Sequence, residues 1–109
     1  MKYILMICHD DAFRPLERLV ADIGAWIRDM TKRKVHVNGY PLRPPRDAVT
    51  VMVRQGQIRV KDAPFARSRE KMCACHVVEC PSREEAIRVA ASHPMAKVAT
   101  IEVRPVWGE

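Results

Sequence analysis

The stretch that most constrains the fold is Tyr3-Ile4-Leu5-Met6-Ile7-Cys8, apolar at every position and closed by His9-Asp10-Asp11. A strand with one wet face alternates apolar and polar residues, so an unbroken run of this length reads as a strand covered on both faces, in the interior of a sheet. It falls far short of the roughly 20 apolar residues that a membrane-spanning helix requires, and no other run approaches that length. The residues before it include one lysine and no small-residue cleavage site follows, which points to a strand rather than a leader and to a cytoplasmic protein.

An interior strand needs neighbours, and the rest of the chain supplies them. From Pro15, the residues Leu16, Leu19, Val20, Ile23, Ile27 and Met30 recur every three or four positions with charged residues between them, which predicts an amphipathic helix beginning near Asp11 with Pro15 in its first turn. Trp26 borders the apolar stripe and either closes the core or faces a pocket. A proline-rich connector, Gly39 to Pro45, follows. Val49, Val51 and Val53 then alternate with Thr50, Met52 and Arg54, and Gln55-Gly56 turns the chain into the alternating segment Gln57 to Lys61, a hairpin. After a polar loop, Cys73 to Cys80 reads as a strand. Ser82-Arg83-Glu84-Glu85 is a capping box, with Ser82 reaching one free amide and Glu85 reaching back, and it opens a second helix that ends at His93-Pro94. Ala99, Ile101 and Val103 alternate with polar residues in a last strand. The order strand, helix, hairpin, strand, helix, strand is that of an α+β fold of the ferredoxin-like βαββαβ kind with an extra β-hairpin, an antiparallel sheet bearing two helices on one face.

The chain has 109 residues, enough for one core and one domain spanning positions 1–109. At 48% apolar and 29% charged it has a globular rather than a disordered composition. The net charge of +6 raises the question of nucleic acid. Its densest cluster, Arg28, Lys32, Arg33 and Lys34, lies at the end of the first helix, where cations favour the helix dipole. Sheet surfaces that read single strands stack bases on strand aromatics, and Cys73 to Cys80 has none, so the charge argues for a solvated helix end. Cys8, Cys73, Cys75 and Cys80 are expected to be reduced, and Cys73-x-Cys75 lacks the spacing of a zinc site. The cysteines read as small core residues, and neither a metal nor a cofactor is expected.

Three stretches together resemble the YCII-related superfamily in its DGPF-motif branch. They are Met1 to Ile7, Gly39-Tyr40-Pro41-Leu42-Arg43-Pro44, and the span from Val60-Lys61-Asp62-Ala63-Pro64-Phe65-Ala66 to Ile101-Glu102-Val103-Arg104-Pro105-Val106. The resemblance implies a ferredoxin-like fold of the dimeric α/β barrel type, a homodimer whose sheets face each other, and a small-molecule pocket. It also implies an alternative, an accessory or regulatory protein partnered by an extracytoplasmic-function sigma factor. The chain departs from the pattern in three places: Ala63 replaces the motif's glycine, Arg67 reverses a charge, and the stretch Cys73-Ala74-Cys75-His76 stands where relatives carry Gly-Gly-Tyr-Tyr.

Some relatives use a His/Asp pair, in which the imidazole titrates near neutrality and the carboxylate orients it. The candidate catalytic residues are Asp62, His76 and Arg104, with Asp10, Trp26, Phe65 and Glu102 as binding residues. Asp62 orients a base or binds a cation, or else serves as an Asx-type turn acceptor. Glu102 and Arg104 share one strand face, where they bind an anion together or form a salt bridge across a dimer. His93, before a proline at a helix end, reads as a polar cap or a helix-end cation, and His76 has a packed or interface residue as its simpler reading.

Overall fold

The computed structural model describes residues 1–108. In chain order it contains β1 (Lys2–His9), α1 (Leu19–Lys32), β2 (His36–Pro41), β3 (Thr50–Arg54), β4 (Gln57–Lys61), β5 (Lys71–Glu79), α2 (Arg83–Ala91) and β6 (Thr100–Pro105), with 3₁₀ turns at Pro45–Asp47 and Pro94–Lys97. Four strands form an antiparallel sheet in the order β2-β5-β1-β6, and β3 and β4 pair only with each other. With that hairpin set aside, the remaining elements run βαββαβ, and the chain has the ferredoxin-like α+β fold expected from its sequence.

The apolar run becomes β1, interior to the sheet as predicted, between β5 and β6. Its odd positions, Tyr3, Leu5 and Ile7, are buried. Tyr3 and Leu5 pack with Trp26 and Met30 of α1, Ala86, Val89 and Ala90 of α2, and Val78 of β5. Both helices therefore cover the same sheet face. The opposite face carries Ile4, Met6, Cys75 and Val77, all only partly buried, and among the described residues no helix lies over it.

Three local features differ from the sequence reading. Helix α1 begins at Leu19, not near Asp11. Asp10 Oδ1 accepts a hydrogen bond from the Ala12 amide at 3.0 Å, so it closes a turn instead of starting a helix. Pro15 then biases Arg14 away from helical geometry. The second difference is a strand where a connector was read: β2 is an edge strand on β5, bulged between His36 and Asn38. His-Val-Asn-Gly-Tyr-Pro shows no period-two apolar pattern, and an edge position tolerates both its glycine and its proline. Third, only half of the capping box forms. Ser82 Oγ accepts from the Glu85 amide at 3.2 Å, while the Glu85 carboxylate takes the Arg88 guanidinium at 2.7 Å.

The end of α1 is a Schellman motif: the Lys34 amide donates to the Thr31 carbonyl and the Val35 amide to the Met30 carbonyl, with Lys34 left-handed at φ 61°. Gln55 and Gly56, at φ 53° and 77°, form the mirror-image turn that suits the twist of a two-residue hairpin. Val51 lies opposite Val60 and Val53 opposite Ile58, so one hairpin face is apolar, and all four side chains are exposed. The radius of gyration is 15.7 Å, against about 13 Å for a compact chain of this length, because the hairpin stands away from the sheet.

Candidate functional site

Strand alternation sends Ala74, His76 and Val78 toward the helices, and His76 is buried among them. Directly opposite His76 on β2 lies Gly39. A Cβ at that position would sit 2.5 Å from His76 Nδ1 and 2.9 Å from the Cys75 carbonyl oxygen, so the histidine ring occupies space that any side chain on residue 39 would need. The space also admits His36 from the start of β2, whose Nε2 lies 3.0 Å from His76 Nδ1, one nitrogen donating to the other.

Two further rings complete the cluster. Trp26 of α1 sits over the histidines, with ring centroids 5.0 Å from His76, 4.7 Å from His93 and 5.9 Å from His36, in the edge-to-face arrangements that aromatic rings favour. Its indole nitrogen donates to Ser92 Oγ at 2.9 Å, which ties α1 to the end of α2. His93 follows at once and is fully buried. Its Nδ1 accepts from the Met95 amide at 3.0 Å, capping the 3₁₀ turn at Pro94–Lys97. Its Nε2 is buried without a hydrogen-bond partner among the described residues.

Burial governs the charge state of these rings. The pKa values of His76 and His93 are lowered to about 4, first by desolvation of the charged form and then by the neighbouring imidazole. His36 is lowered as well, by burial alone. The cluster is thus neutral near pH 7, and the reading of His93 as a helix-end cation is corrected, while its role as a polar cap is present.

Beside the cluster lies a hollow of about 440 Å³ between α1 and the ends of β1, β2 and β5, with Ile7, Phe13, Ile23, Ala74, His76 and His93 on its wall. None of its lining side chains is Lys, Arg, Asp or Glu. A size in the hundreds of cubic ångströms and an apolar wall with a few polar groups are the marks of a small-molecule site. A larger groove of about 770 Å³ runs beneath the hairpin past Leu42, Val49, Val51, Phe65 and Met72, but it is more open and contains no buried polar group. Among the described residues, no three His, Cys, Asp or Glu side chains are placed to hold a metal ion.

Of the seven candidate residues, the structure brings His76 and Trp26 together at this cluster and places the other five elsewhere. Asp62 is exposed at the end of the hairpin and its carboxylate has no partner among the described residues. An Asx-turn there would need an amide hydrogen two residues on, which Pro64 lacks. Phe65 is exposed beside the outer groove, whose wall includes neither Asp62 nor Arg104. Glu102 and Arg104 pair with each other at 3.4 Å on the uncovered sheet face, opposite Met6 and Ile4 of β1. Asp10 is held in its turn and borders a polar hollow with Arg67, Arg69 and Lys71. Sequence reasoning left His36 unassigned and read His93 as a polar cap or helix-end cation, not as part of a site. Gly39 gave no usable signal, because Asn38-Gly39 reads in sequence as a turn dipeptide although it lies within β2.

A model of the YCII-related domain family matches residues 1–108. The chain belongs to the YCII-related family. No curated protein matches it. The imidazoles of His76 and His93, both neutral near pH 7, pack on the indole of Trp26, and the cavity wall carries no carboxylate.

Proposed function

We propose that this YCII-related protein takes a small molecule into the hollow beside Trp26, His76 and His93, and that it does so as a homodimer. The observation that carries the reading is a wall without Lys, Arg, Asp or Glu, to which His9, Tyr40 and the buried His76 and His93 bring the chief polar side chains, one of the buried rings having an unused nitrogen. A neutral imidazole offers one N–H donor and one lone pair, so the same pair of rings serves to orient a ligand or to move a proton. The Asp62-Ala63-Pro64-Phe65 loop supports placing the chain in the DGPF-motif branch.

Support for the homodimer comes from the uncovered sheet face. Ile4, Met6 and Val77 form an apolar strip on it, bordered by the Glu102–Arg104 pair, which suits burial against a second copy with its charges at the rim.

Naphthalene titrated into the labelled full chain tests the pocket. It should shift the backbone amide resonances of Ile23, Ala74 and Met95, and Ile23→Trp, which fills the hollow, should abolish the response. Shifts confined to the surroundings of Phe65 would move the site to the outer groove. A chain that takes up nothing and co-elutes with an extracytoplasmic-function sigma factor would replace this reading with the accessory one. Sedimentation should give twice the 12.5 kDa of one chain, and Met6→Glu should halve it.

A further inference from the structure

The ligand chemistry follows from how His93 is held. The Met95 amide donates to Nδ1, which must therefore present its lone pair, and a neutral imidazole with a lone pair on Nδ1 has its hydrogen on Nε2. The group without a partner is thus a donor, and since His93 has no exposed surface a ligand reaches it only where the rings of Trp26 and His76 packed against it give way. A buried donor left unpaired weakens the fold by the hydration it has lost, and such groups in folded proteins are met by water or by a ligand. Water is a poor occupant at this wall, because it needs two to four polar partners and finds mainly apolar side chains.

Resting on the pocket reading above, we infer that the ligand is an uncharged, largely apolar molecule carrying a carbonyl-type oxygen that accepts a hydrogen bond from His93 Nε2. An anion entering the hollow would give up its hydration and meet no lysine or arginine, only one further imidazole, that of His9, and an ammonium group would meet no carboxylate, so desolvation opposes either sign of charge. The depressed pKa of both buried histidines removes them as counter-cations near neutral pH. His76 Nδ1 is already engaged by His36, which leaves His93 as the ring with a fixed and unspent hydrogen.

Three probes built on one naphthalene body separate the possibilities: methyl naphthyl ketone, ethylnaphthalene and naphthoate, each titrated into the full chain at neutral pH and followed by the amides of Ile23, Ala74 and Met95. The ketone should bind about tenfold more tightly than the hydrocarbon, the worth of one hydrogen bond in a dry site, and naphthoate most weakly. His93→Asn keeps an oxygen acceptor for the Met95 amide but lacks the outer N–H, and His93→Phe keeps the ring volume. In each folded variant the ketone's advantage should vanish while the hydrocarbon still binds. Equal affinity for ketone and hydrocarbon, tightest binding of naphthoate, or a ketone advantage that survives both substitutions would overturn the inference and leave the pocket intact. Failure of all three probes to perturb those amides would overturn the pocket itself.

Discussion

At the scale of single residues, the site depends on a missing side chain. Gly39 is where it is because two imidazoles converge over it, and the nearest obstacles to a Cβ include the Cys75 carbonyl oxygen, part of a backbone that cannot swing aside. Gly39→Ala should therefore destabilise the protein by about 2 kcal/mol, the scale of overpacking in a filled core, and open the His36–His76 hydrogen bond. Denaturant midpoints and imidazole nitrogen shifts measure the two effects. Gly24, inside α1, is the counter-case: a Cβ there meets only the far end of the Arg28 side chain at 3.4 Å. Gly24→Ala should be neutral or stabilising by up to about 1 kcal/mol, since glycine weakens a helix interior. This contrast also bounds how far the site was legible. Trp26, His36 and His76 come from three elements and His93 from the link between α2 and the 3₁₀ turn, so no spacing along the chain joins them. His76 and Trp26 could be singled out by type, and His93 could be read as a cap from the proline after it. That its ring is buried goes with Trp26 and His76 packing against it, a tertiary fact with no local signature.

Secondary structure was legible wherever apolar spacing met a boundary signal. β1 follows from its unbroken apolar run, β5 from the strand-like segment closed by Pro81, and the β3–β4 hairpin, α2 and β6 from alternation, helical period or the Ser82 cap. β2 escaped because an edge strand whose inward positions carry histidine and glycine has no apolar pattern to show. The start of α1 was misplaced for the opposite reason: Leu16 continues the helical spacing, but Asp10 and Pro15 commit the chain to a turn first, and Leu16 is left exposed. The other end of α1 holds a testable strain. Lys34 occupies the left-handed position that glycine fills in most helix ends of this type, at φ 61°. Lys34→Gly should stabilise the protein by about 1 kcal/mol, read as a higher denaturant midpoint with unchanged slope. A lower midpoint would mean that the lysine side chain contributes more than the backbone strain removes.

Taken as a whole, the molecule is a two-layer slab 19 Å thick, so its core is a single shared layer and the histidine cluster is part of it. That couples stability to pH. His76 and His93 have folded-state pKa values lowered from 6.5 to about 4, so the unfolded chain takes up protons first as the solution is acidified. Stability should be undiminished above pH 6.5 and fall progressively between there and about pH 4, by roughly 3 kcal/mol for one such histidine. Against a typical total of about 5–15 kcal/mol this is a large fraction. Urea midpoints at pH 7.5, 6 and 5 would show it, in a range above most carboxylate titrations. His93→Phe, if folded, should flatten the dependence, and an unchanged midpoint from pH 7.5 to 5 would remove the histidines from the account.

The β3–β4 hairpin has a different bearing on the molecule. Its strands bond only to each other, and both of its ends join a sheet whose order is complete without it. Changes in its length or composition consequently leave the register of the four-stranded sheet and the setting of the histidines untouched. Descendants of this chain are thereby free to re-tailor the outer groove while the inner chamber is inherited unchanged.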